Sequence, residues 1–261
     1  MIRQQWIAVT AAAALFLALY FGCDTKINEL PQMKPAADTN QSVAINVQSL
    51  IATAKTALNP TQSAQINTLD EKVSTAHGKI EKIAALKEMS GAWHLIGKDD
   101  IAATYAQQVA EAENTDTAWS VAGGNYFLAL QATTDKPLRD FWSEKAVNAF
   151  QKAAALNPNS VEHKINEALV DVENPPQGAP MTAVLLLQDL ERKNPTNMAV
   201  PIQLARLAMK TGQFDRAIAR LEKVLQREPD NKRAICLLAD AYEKTGSEKA
   251  ALFNQKCNAN H

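Results

Sequence analysis

The side chains with chemical potential in this 261-residue chain are few and scattered. Its four histidines are His77, His94, His163 and His261. None stands in a HExxH, HxH or nucleophile-elbow setting, so neither a zinc hydrolase nor a serine hydrolase is indicated. His94 follows Trp93 and reads as a surface or groove residue rather than a base. The three cysteines, Cys23, Cys236 and Cys257, form no CxxC and no Cys/His cluster, and they are too few for a disulfide framework. Cys236 and Cys257 fall on opposite helices of the last helical hairpin. They could pair in an oxidising compartment, but their register points them in different directions, so two separate thiols are the expectation. Gly123-Gly124 is no phosphate loop, because no strand precedes it and no Gly-Lys-Ser/Thr follows. Asp99-Asp100 and the Glu111/Glu113 pair read as solvated helix ends. No catalytic residue, metal ligand or cofactor site is expected, and the expectation is that the chain is not an enzyme.

The charge balance, 27 basic against 28 acidic side chains, gives no electrostatic case for nucleic acid. Hydrophobic residues make up 46% and aromatics only 6%, a balance that suits an alanine- and leucine-rich helical core.

The elements that would position anything are set by a repeat. Ala102, Ala146, Ala183, Ala217 and Ala251 recur along the chain, the last three at intervals of 34 residues. Ser90, Gly123, Ala168, Ala205 and Ala239 run beside them as a second small-residue series. Small side chains on two facing helices let the backbones approach closely, and a period near 34 describes stacked helix pairs. Asn157-Pro158, Asn194-Pro195 and Glu228-Pro229 each stop a helix, since proline lacks the amide and restricts the residue before it. Gly212 and Gly246 fall in the turn inside a hairpin, where positive φ is cheap for glycine.

From small residue to alanine, the first, fourth and fifth copies span 12 residues, the second 23 and the third 15. The extra residues are expected in the turn inside a hairpin, on a common edge of the stack, around ATTDKPLRDFW and NPPQGAP. Gly124 has no packing explanation and costs a helix about 1 kcal/mol relative to alanine. Close approach of a partner chain would account for it.

Trp119-x2-Ala122-Gly123-x2-Tyr126, followed by Ala146-x3-Phe150 and Pro158, resembles the tetratricopeptide repeat, whose pattern is W-x2-L-G-x2-Y…A-x3-F…P. Weaker copies are Met89-Ser90-x2-Trp93 with Gly97 and Ala102, Leu204-Ala205 with Gly212, Phe214, Ala217, Leu221 and Pro229, and Leu238-Ala239-x2-Tyr242 with Gly246 and Ala251. The third copy keeps Ala168, Ala183, Leu187 and Pro195. The resemblance covers residues 83–261 as five repeats: 83–115, 116–160, 161–197, 198–231 and 232–261. It implies an all-α, right-handed superhelical solenoid of antiparallel helix pairs. It also implies a protein or peptide partner lying in the groove lined by the first helix of each pair.

Register places Lys87, His94, Phe127, Ile165, Leu169, Ile202, Arg206 and Met209 on that face, with Arg233 and Asp240. The apolar members suit an apolar or amphipathic segment. The competing reading is that they pack against one another. Recognition of an acidic C-terminus is disfavoured, because Lys87 is followed one turn later by Gly91 rather than asparagine.

Residues 1–22 form a segment of another kind. Trp6–Gly22 carries no charge and would span about 25 Å as a helix, slightly under the roughly 30 Å hydrocarbon core. Ile2 extends it if Arg3 snorkels to the interface. Arg3 precedes the run and Asp24 follows it, which places the N-terminus in the cytoplasm and the body outside. Three readings remain: an uncleaved single-pass anchor in the inner membrane, a lipoprotein signal ending at Cys23, and ordinary secretion. Tyr20 departs from the leucine usual in a lipobox and also from a small-x-small cleavage site. Residues 23–40 read as a flexible linker and 41–82 as N-terminal helices, either a divergent repeat or a cap. The resemblance is to membrane-anchored repeat proteins of the Gram-negative envelope. It implies a periplasmic scaffold or, alternatively, a lipoprotein subunit of an envelope assembly complex or a helper in cytochrome maturation.

Overall fold

The computed structural model describes residues 45–178 and 181–259, all of its regular structure helical. The anchor or signal segment, the linker and Cys23 lie outside the described residues. Among the described residues no helix is long and apolar enough to cross a membrane. The described residues form twelve helices in succession: α1 (Val47–Thr56), α2 (Pro60–Thr75), α3 (Lys79–Leu95), α4 (Asp99–Glu113), α5 (Asp116–Ala132), α6 (Lys136–Leu156), α7 (Val161–Glu173), α8 (Thr182–Lys193), α9 (Ala199–Lys210), α10 (Phe214–Arg227), α11 (Lys232–Lys244) and α12 (Ala250–Asn258). From α3 onward each helix packs on the next, giving five consecutive hairpins.

Local chemistry explains the boundaries. Asn59 caps α2 with a reciprocal box, accepting from the Gln62 amide at 2.9 Å while the Gln62 side chain accepts from the Asn59 amide at 3.1 Å. Asn157, Asn194 and Glu228 are the C-caps of α6, α8 and α10, and a proline follows each. Three hairpins share one turn, in which Gly97, Gly212 and Gly246 hold φ of 78°, 73° and 66°. The amide after each glycine donates back to a carbonyl five residues earlier, for instance Gln213 to Ala208 at 2.8 Å. Where no glycine is present, Asn114 takes the left-handed conformation at φ 52° and closes α4.

The small-residue series sits where the helices of each hairpin meet. Ser90 donates its hydroxyl to the Ala102 carbonyl at 2.9 Å. Ala102, Ala146, Ala168, Ala183, Ala205, Ala217 and Ala239 are all buried. Gly123 shows the limit of this packing, since a Cβ there would lie 2.7 Å from the Phe150 ring.

Ala251 is exposed, against the expectation that it packs, and its neighbour Ala250 leans on the core. The packing position slips by one residue in the turn before α12. A one-residue slip rotates a helix by about 100°. That rotation also brings Cys257 round to Cys236, and the two form a disulfide with Cα atoms 4.9 Å apart, where separate thiols were expected.

The extra residues of the second repeat are likewise not a loop. Only residues 133–135 lie between α5 and α6, and most of the insertion lengthens α6 to 21 residues. Asp135 caps it by accepting from the Leu138 amide at 3.0 Å, with Pro137 in the first turn. In the third repeat α7 ends at Glu173 and α8 begins at Thr182.

The N-terminal helices do not repeat the hairpin pattern. α2 packs on α3, whereas α1 lies against α4. Leu50 on α1 packs against the cluster of Tyr126, Trp142 and Phe150, and Ala54 joins Ile66 and Trp93. This pair therefore packs on the first repeats.

Candidate functional site

The first helices of the first two repeats, α3 and α5, face a trough of about 380 Å³ floored by Ala106 and Val109 of α4. Lys87, Gly91 and His94 line it from α3, one helical turn apart, and Ala118, Val121 and Asn125 line it from α5. Val121 is 55% exposed, and Leu95 and Leu128 add apolar surface on the same two helices. Polar pairs hold the rim. Lys87 Nζ lies 2.5 Å from Glu113 Oε1, and His94 Nδ1 lies 2.6 Å from Asp99 Oδ1. The Lys87 and Glu113 charges offset one another at the rim, and the floor is apolar.

Two helical glycines have no packing reason, Gly91 in the trough lining and Gly124 beside Asn125 on α5. Gly91 and Gly124 have helical backbones, and a Cβ at either would meet nothing within 4 Å. They contrast with Gly123, which the Phe150 ring requires. A helix that keeps glycine on an open face keeps room for something to come close.

The other residues expected in the groove divide by position along the stack. Ile165 and Ile202 are buried at 3% exposure each, Ile165 among Ala168, Ala183 and Leu187, and Ile202 among Ala217, Leu221 and Leu238. Packing between helices accounts for the burial of these two. Phe127, Leu169 and Met209 are half-buried and lean on the core clusters. Arg206, Arg233 and Asp240 are exposed. The structure brings Lys87 and His94 to one trough and buries Ile165 and Ile202 between helices.

Sequence reasoning missed Arg139, which sits in the insertion. Its Nη1 donates to the Leu130 and Thr133 carbonyls at 3.1 Å each, capping the end of α5. Its Nη2 donates to the Glu173 carbonyl at 2.6 Å and lies 3.3 Å from Glu173 Oε1, tying the second repeat to the end of α7. The signal available was Asp135-x-Pro137, a helix start that brings Arg139 into the first turn. Asp116 makes a similar tie at the other end of the repeat. Asn157 Nδ2 donates to its carboxylate at 2.9 Å, and buried His163 lies 3.3 Å away. The Asn157 bond, with that from His163, holds the Asp116 carboxyl below the usual carboxylate range. Among the described residues no group of three or more His, Cys, Asp or Glu side chains could hold a metal ion.

Comparison with known proteins gives a family match over part of the chain. The tetratricopeptide repeat family model matches residues 208–253, from the last turn of α9 to the first turn of α12. A curated relative, Lipopolysaccharide assembly protein B of Haemophilus influenzae, is 35% identical over 105 residues, covering 39% of this chain and 26% of that protein. The chain thus spans about a quarter of the length of that relative. Among solved structures, a thermophilic tetratricopeptide repeat protein of Thermus thermophilus is 18% identical, with a TM-score of 0.49 over 75% of this chain and 94% of that one. The MamA protein is 18% identical, with a TM-score of 0.40 over 67% and 89%.

Proposed function

We propose that this protein is a non-catalytic scaffold whose α3–α5 trough receives an apolar segment of a protein partner. The observation that carries the reading is the coincidence of an apolar floor, an exposed Val121 and Gly91, a helical glycine in the lining with open space above it. An apolar surface with a polar rim suits an amphipathic segment better than a charged tail. Filling the trough with Gly91→Phe should abolish partner binding while leaving the fold intact, because nothing within 4 Å opposes a Cβ there. Retained binding by a folded Gly91→Phe protein would place the partner elsewhere.

The repeats work beyond the inner membrane, with residues 1–22 as the anchor. Two features support this placement: the charge-free run Trp6–Gly22 and the Cys236–Cys257 disulfide, a bond that persists in oxidising compartments and is rare in the cytosol. A C-terminal reporter active only in the cytoplasm would overturn it. A second reading, a lipoprotein subunit of an envelope assembly complex, is favoured by Gly22-Cys23 and by the name of the Haemophilus relative. Palmitate incorporation that disappears in Cys23→Ala distinguishes it from a plain anchor.

A further inference from the structure

A second cavity, of about 510 Å³, opens where α8, α9 and α10 meet, well along the chain from the trough. Arg220, Lys223 and Arg227 stand on one stripe of α10, three and four residues apart, and all three line it. Their hydrogen-bonding capacity is largely unspent. Arg220 Nη2 is 3.9 Å from Glu191 Oε2, beyond hydrogen-bond distance, and Arg220 Nε is buried with no partner. Arg227 donates Nη1 to the Pro195 carbonyl, a neutral group. Lys223 has no ion-pair partner among the described residues.

The first turn of α9 forms the opposite wall through Met198 and Pro201. It carries no acidic residue, and its first amide, that of Ala199, donates to the uncharged Asn197 Oδ1 at 2.9 Å, which leaves the dipole unneutralised. The positive end of that helix therefore adds to the field of the three cations. Glu191 is the one carboxylate lining the cavity, which leaves an excess of two positive charges.

The geometry points to a binding site for a phosphate monoester or free phosphate in this cavity. Two excess cations match a group carrying about −1.5 to −2 charge near neutral pH, where a lone carboxylate would leave one cation unmatched. Guanidinium forks suit its oxygens, and a Lys serves as the point charge beside them. The group can arrive as a dissolved anion or as the headgroup of a membrane lipid.

The test follows amide shifts of the ¹⁵N-labelled full chain in zwitterionic micelles, at constant ionic strength. One arm titrates inorganic phosphate, a second dopes the micelles with phosphatidic acid, and sodium chloride is the control. The expected result is a saturable shift of the amides of Val200, Lys223 and Arg227 in at least one of the first two arms. Affinity should drop at least tenfold in both Lys223→Ala and Arg227→Gln. Lys223→Ala removes no ion pair of the fold, so its loss of binding cannot be ascribed to unfolding. Saturation by phosphatidic acid at far lower concentration than by phosphate identifies a lipid headgroup, and the reverse identifies a soluble anion. Shifts that chloride reproduces, or that survive Lys223→Ala, mean an adventitious ion only and overturn the assignment.

Discussion

The second and last hairpins solve the same packing problem by different means. In α5 and α6 the helices run 17 and 21 residues, and aromatic rings fill the space between them. Tyr126 stacks on Trp142 at 5.7 Å, and Phe141 meets Trp142 edge-on at 4.6 Å. Arg139 and Asp116 then tie both ends of the hairpin to α7 or its approach. In α11 and α12 the second helix has nine residues and buries none of them. It is held by the Cys236–Cys257 bond, by Phe253 against Tyr242 at 5.2 Å, and by a polar cluster in which Tyr242 donates to Glu222 at 2.6 Å and Lys249 approaches the same carboxylate at 3.1 Å. A hairpin packed by repeats on both sides can rely on burial. A helix that packs mainly on its own partner depends on a covalent bond instead.

That contrast is open to direct attack. The largest effect is expected from Trp142→Ala, which removes a ring 2% exposed from the middle of the aromatic cluster. It should cost about 3–5 kcal/mol by denaturant unfolding, spread over both flanking repeats. Cys257→Ser should cost about 3 kcal/mol, given the sequence separation of 21 between the cysteines. Its effect should stay local: hydrogen exchange should rise through α12 and remain unchanged in α5 and α6. A loss of protection across all five hairpins would show that the last repeat is no separate unit.

A smaller effect separates the adjacent glycines. Gly123→Ala pushes a methyl to 2.7 Å from Phe150 and should destabilise by roughly 1–2 kcal/mol. Gly124→Ala meets open space and should stabilise by up to about 1 kcal/mol while weakening partner binding. Thermal midpoints of the two variants decide between them, and equal shifts would remove the distinction drawn between a packing glycine and a binding glycine.

The smallest effect concerns Asp116. Its carboxyl is held below the usual range in the folded protein, so its stabilisation is present above the unfolded value, about 3.9, and is lost as pH falls through the lower folded value. The stability difference between wild type and Asp116→Asn should be constant above about pH 5 and shrink below about pH 4. A difference independent of pH would show that the Asn157 and His163 contacts do not depend on the charge.

The hairpins are legible in the sequence because small residues, proline stops and turn glycines repeat at fixed spacing. The misreadings trace to places where that spacing is interrupted. The insertion in the second repeat reads as a loop because its length breaks the pattern, yet Asp135 and Pro137 start a helix there. The one-residue slip before α12 displaces both the packing alanine and the orientation of Cys257. Ile165 and Ile202 share the groove register with Lys87, but a helical stripe does not say how wide the buried face is. Burial extends over that position in α7 and α9 and stops short of it in α3. The basic cavity beside α10 is invisible to register, since its walls come from three helices of two repeats.

Whether binding belongs to the α3–α5 trough, and not to the exposed surface in general, is tested most directly by photo-crosslinking. A crosslinking side chain at Val121, in the trough, is to be compared with one at Leu185, 61% exposed on α8, in the full chain in native membranes. The expected result is a discrete protein adduct from position 121 that is absent from 185 and disappears when Gly91→Phe fills the trough. The same adduct from 185, or one from 121 that survives Gly91→Phe, would contradict a trough-specific partner.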